Sequence, residues 1–175
     1  FQGHSDTEVI LESSVQWGVV NTVQKLVGMF AFVLWDTVEK QLWLVRDRLG
    51  IKPLYYTITP DQTLIFGSEL KALRAHPNCP SEINRDAVSA FMRHNYIPCP
   101  RSIYKDIYKL EPGALLSLDL SATKSAGTSL NKEIWWSLKE STNLGKENLL
   151  IDKKQNLQNL EKSLLDSVRL QSIAD

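Results

Sequence analysis

Met29-Phe30-Ala31-Phe32-Val33-Leu34-Trp35 is an unbroken apolar run, rich in aromatic and branched side chains. A strand with one wet face alternates polar and apolar residues, so a continuous run of this length predicts a strand covered on both faces. The polar residues 36–40 then turn the chain into a second strand over 41–46, which makes a hairpin. Gly50 and Pro53 mark the next bend. Residues 54–58 and 63–67, joined by Thr59-Pro60-Asp61-Gln62, read as another hairpin. Four strands covered on both sides require stacked layers.

Working outward, Ser5-Asp6-Thr7-Glu8 has the S-x-x-E form of a capping box, in which serine hydroxyl and glutamate carboxylate each satisfy a free backbone N–H. A helix starts there, with Val9, Ile10 and Trp17 as its buried side and Gly18 as its C-terminal cap. A second short helix is expected over 22–27. Downstream, helices are expected over 68–75 and 85–94, the latter capped by Asn84 and burying Ala87, Val88, Phe91 and Met92. Tyr96-Ile97-Pro98-Cys99-Pro100 is extended, because each proline biases its predecessor away from helix. Pro112-Gly113 turns into a strand over 114–120, and residues 121–131, made mostly of Ser, Thr and Ala with a Lys and a Gly, read as a surface loop.

Beyond Ser141 the composition turns polar until about Asp152, the signature of a linker. Leu157, Leu160, Leu164, Val168 and Ile173 then follow at helical spacing, an amphipathic helix whose stripe needs a partner. The expected division is one domain over 1–140 and a linker with its helix over 141–175. Helix, hairpin, hairpin, helix is the order of an α+β fold.

The 175 residues carry 20 Lys plus Arg against 20 Asp plus Glu, so no net field draws in nucleic acid or an anionic membrane. Neither partner is expected. No apolar run reaches the roughly 18–20 residues of a membrane span. Cys79 and Cys99 are too few for a disulfide framework and lack C-x-x-C spacing, which fits a reducing cytoplasm. His4, His76 and His94 are scattered without metal-ligand spacing, so no metal site is expected. Phosphate-loop, dinucleotide, zincin and nucleophile-elbow motifs are absent.

A resemblance carries the reading further. Gly3-His4-Ser5-Asp6-Thr7-Glu8-Val9-Ile10-Leu11, Gly28-Met29-Phe30-Ala31-Phe32 and Trp35-Asp36 resemble the class II glutaminase domain of glutamine-hydrolysing asparagine synthetases. So do Arg46-Asp47-Arg48-Leu49-Gly50-Ile51-Lys52-Pro53-Leu54-Tyr55-Tyr56, Phe66-Gly67-Ser68-Glu69-Leu70-Lys71-Ala72-Leu73 and the stretch from Tyr96 to Tyr104. Lys109-Leu110-Glu111-Pro112-Gly113 and Trp136-Ser137-Leu138 complete the series in the family's order.

The resemblance implies a four-layer αββα sandwich, the N-terminal-nucleophile hydrolase architecture, followed by a linker helix. In that family an N-terminal cysteine attacks the glutamine side-chain amide with its own α-amino group as base, and an acyl-enzyme releases ammonia. The ammonia reaches a synthetase domain where ATP, with magnesium, has adenylated aspartate. This chain is expected to hold neither the nucleophile nor that domain, hence no catalytic residue and no cofactor of its own, and to be inactive alone. Asp6 matches the aspartate that binds the α-amino group of glutamine, a charged hydrogen bond that selects amino acids over plain amides. At a helix start it also complements the helix dipole. Arg46, Asp47, Lys52, Ser68 and Glu69 fall in family blocks and read as scaffold, an ion-pair network or the wall facing the synthetase domain. Glutamine, that second domain and a homodimeric mate are the implied partners. A parent that amidates a cell-surface sugar or a peptide precursor, and a non-catalytic scaffold or regulatory domain, are the rival readings.

Overall fold

In the computed structural model, Gly3 and residues 5–120, 130–147 and 152–172 are described. In chain order they form α1 (Asp6–Trp17), α2 (Val19–Lys25), β1 (Ala31–Asp36), β2 (Gln41–Arg46), β3 (Tyr55–Ile58), β4 (Leu64–Gly67) and α3 (Leu70–Arg74). There follow α4 (Arg85–His94), β5 (Tyr108–Lys109), β6 (Ala114–Asp119), β7 (Leu130–Ile134), α5 (Leu138–Glu147) and α6 (Lys153–Gln171). Two compact units result, Phe1–Trp136 and Ser137–Asp175.

The apolar run becomes β1, paired antiparallel with β2 from Ala31↔Arg46 to Asp36↔Gln41. Asp36 sets the turn: its Oδ1 accepts the N–H groups of Val38 and Glu39 at 2.8 and 2.9 Å. That is an Asx turn, which gives the backbone a local alternative to the ladder. A four-stranded sheet runs β1-β2-β6-β7 and a three-stranded one runs β4-β3-β5, every pairing antiparallel. The protein is therefore an α+β fold.

Alternation along the strands builds the core, because successive side chains leave a strand on opposite faces. Leu42 and Leu44 of β2, Ala31 and Val33 of β1, and Ala114 and Leu116 of β6 pack with Tyr56 and Leu64 of the smaller sheet. Their neighbours Trp43, Val45, Phe32 and Leu115 face the other way, against Val19, Val20 and Val23 of α2 and Trp135. Tyr55 and Ile65, on the far face of the smaller sheet, pack on Leu70 and Leu73 of α3 and on Ile107. Each fully buried leucine or valine contributes about 1.5–3 kcal/mol relative to exposure.

Several boundaries shift from the sequence reading. The second helix starts at Val19, directly after Gly18, whose φ of 77° is open to glycine and costly for other residues. The α3 helix begins only at Leu70, since Glu69 is still extended. Of the expected stripe on α4 only Ala87 is buried, while Val88, Phe91 and Met92 face outward. A helix, α5, occupies much of the stretch read as linker. Leu130 and Asn131, read as loop, open β7, whose charged Lys132 and Glu133 suit an edge strand. Residues 121–129 of the expected loop, 148–151 of the linker and Ile173 of the final stripe lie outside the described residues. No described helix is long and apolar enough to cross a membrane.

Candidate functional site

Asp6 stands in the first turn of α1, exposed to solvent. The helix starts there because Ser5 Oγ accepts the Thr7 N–H at 3.2 Å. Glu8, placed by the capping-box pattern to reach back along the chain, accepts the N–H of Gly3 at 2.7 Å. The Thr7 hydroxyl donates to Asp6 Oδ1 at 3.4 Å. A carboxylate here gains from the positive end of the helix dipole and remains open to an incoming ammonium.

The second constellation lies at the end of β2. Arg46 is buried, and its guanidinium donates to three backbone carbonyls: Nε to Lys52 O at 2.8 Å, Nη2 to Gly50 O, and Nη1 to Leu110 O. Nη1 also approaches Cys99 Sγ at 3.6 Å. Asp47, only 1 % exposed, uses both oxygens on backbone donors: Oδ1 accepts from Leu49 and Ile51 at 3.1 and 3.0 Å, and Oδ2 from Lys52 at 3.0 Å. Its own carbonyl accepts from Gly50 and Gly113. Such charge-assisted bonds are roughly twice as strong as neutral ones.

Thus Arg46, Asp47 and Lys52 meet in one clamp, with Lys52 contributing its backbone while its side chain points to solvent. Ser68 and Glu69 follow β4 at the surface, where Glu69 pairs with Lys71 at 2.8 Å. Both side chains of that pair are more than half exposed, so it contributes well under about 1 kcal/mol. Among the described residues the other ion pairs are Lys105–Glu82 and Lys132–Glu111. The charges at Arg46 and Asp47 serve the backbone rather than each other.

Sequence reasoning missed the groups around Arg46, namely Tyr55, Cys99 and Lys109. Burial pulls Lys109 below the ordinary lysine range, with the Cys99 side chain opposing and Arg46 assisting, and its ammonium donates to Ile97 O at 2.6 Å. Burial raises Tyr55, with Arg46 opposing. Only the prolines flanking Cys99 signalled that the segment is held in place. Burial likewise pushes the Cys79 thiol up, which keeps it in the unreactive protonated form.

Tyr56 gives a pH-dependent prediction. Burial, then the Glu111 carboxylate, then Tyr108 push its phenol up to about 12. A folded-state value above the ordinary tyrosine pKa of about 10 favours the neutral form in the fold. The stability it contributes is therefore present below that pH and lost as pH rises towards the folded-state value. Urea midpoints are expected to fall across this alkaline window, and less steeply in Tyr56→Phe; identical profiles would refute the assignment.

Two antiparallel sheets, an exposed carboxylate opening α1 and a charged clamp closing β2 define an α+β domain. The chain belongs to the glutamine amidotransferase domain family, whose model matches residues 1–135. A Methanocaldococcus jannaschii protein provisionally named asparagine synthetase [glutamine-hydrolyzing] 2 is 34% identical over 173 residues, 98% of this chain and 31% of that protein. Bacillus subtilis asparagine synthetase [glutamine-hydrolyzing] 3 is 37% identical over 118 residues, 67% of this chain and 19% of that protein. Amidase chry2 of Gibberella zeae is 28% identical along all 175 residues, which make up 24% of it. The chain spans less than a third of the length of each relative.

Proposed function

We propose that this chain is part of the glutaminase domain of an ATP-dependent, glutamine-hydrolysing asparagine synthetase, in which Asp6 holds the α-ammonium group of glutamine. The observation that carries the reading is the exposed Asp6 carboxylate in the capped first turn of α1, within a chain of the glutamine amidotransferase family. The names of the archaeal and Bacillus relatives support the product. Three core clusters, one between the sheets and one on each outer face, support a four-layer αββα arrangement. The two compact units support a glutaminase domain over 1–140 and a linker with its helix over 141–175. Arg46, Asp47 and Lys52 are scaffold in this reading, and Ser68 and Glu69 form surface that faces the synthetase domain. ATP and magnesium act in that domain, and no residue of this chain is assigned to them.

The family's nucleophile is a cysteine whose own α-amino group is the base, and Cys79 and Cys99 are both internal and so lack that amine. Accordingly, the 175-residue chain incubated with glutamine is expected to release no ammonia. Ammonia release, or covalent labelling of Cys79 or Cys99 by an electrophilic glutamine analogue, would overturn this assignment.

The direct test of the site is Asp6→Asn in the full-length parent. Losing one charge-assisted hydrogen bond of about 1.5–3 kcal/mol raises the KM for glutamine by roughly tenfold to a hundredfold. Synthesis driven by free ammonia is expected to stay unchanged, because the ammonium contact is bypassed. An unaltered glutamine KM would leave Asp6 with the helix dipole alone.

A second reading concerns the acceptor. Amidase chry2, which matches along all 175 residues, is not named as an asparagine synthetase, which leaves room for a parent acting on a carboxylate other than aspartate, such as a cell-surface sugar or a peptide precursor. Supplying the parent with ATP, ammonia and candidate acceptors separates the two.

A further inference from the structure

We draw no further inference here: the strongest candidate, the apolar groove that Leu11, Val15 and Val19 of α1 and α2 form with Leu34, Trp35 and Val38 of β1 and its turn, carries nothing because the structure does not show what covers it.

Discussion

Gly113→Ala is expected to remove a large share of the stability of the unit Phe1–Trp136. The residue sits at φ 63°, where a side chain costs about 1–2 kcal/mol. An added Cβ would lie 2.2 Å from the carbonyl oxygen of Trp136 and 3.0 Å from its carbon, both of them backbone atoms. Relief by movement is blocked on both sides. Gly113 O accepts from the Trp135 and Trp136 N–H groups, and Gly113 N–H donates to Asp47 O at 2.9 Å. Moving either segment breaks two or three backbone bonds of about 1 kcal/mol each and uncovers buried Trp135. The sum is about 4 kcal/mol or more, against a total of roughly 5–15 kcal/mol for a domain. Urea unfolding followed by tryptophan fluorescence checks this. A variant within about 1 kcal/mol of the parent sequence would show that the β6–β7 end is not fixed as described.

Asp47→Ala is the second large effect. Its carboxylate satisfies the N–H groups of Leu49, Ile51 and Lys52, and alanine leaves all three without their acceptor. Each unsatisfied buried donor costs about 1–3 kcal/mol, but water reaches part of this loop, so the expected total is about 3–5 kcal/mol. Asp47→Asn separates geometry from charge. Its single amide oxygen can still serve Leu49 and Ile51, while its NH₂ group confronts the Lys52 N–H, so an intermediate loss is expected. If Asp47→Asn matched Asp47→Ala, the charge would be carrying the clamp; if it matched the unsubstituted chain, neither the charge nor the Lys52 bond would contribute, and the bonds to Leu49 and Ile51 would carry the clamp.

Much of this fold was legible in the sequence because its signals are local. The hairpin of β1 and β2 followed from an apolar run, a polar turn and a second run, and β2 fell on the expected residues. Ser5 and Asn84 cap their helices as their side-chain chemistry predicts, Asn84 Oδ1 accepting the Ala87 N–H at 3.1 Å. Two strands were not legible. Tyr108-Lys109 is only two residues long, and Leu130-Asn131-Lys132-Glu133-Ile134 has the polarity of a loop. Both qualify as strands only through partners distant in sequence, Tyr55 and Tyr56 for the first and residues 114–118 for the second.

The site divides in the same way. Asp6 was picked out only through the resemblance to glutaminases; by itself a carboxylate in a capping sequence signals no more than a helix start. Arg46 and Asp47 could be marked as charged residues at a strand end, yet an ion-pair network was as natural an expectation as a backbone clamp. What decided between them is the position of carbonyls and N–H groups, which every residue possesses and no sequence pattern displays. Leu110 O, which receives Arg46, lies 64 positions downstream. The sequence by itself determined the hairpins and the caps, from side chains acting on near neighbours, while the likeness to glutaminases, and Asp6 as a candidate with it, came from the order of whole motifs along the chain. Only the tertiary structure decided which face each strand presents, which edges are open and what the buried charges hold, because those depend on backbone groups brought together by the fold.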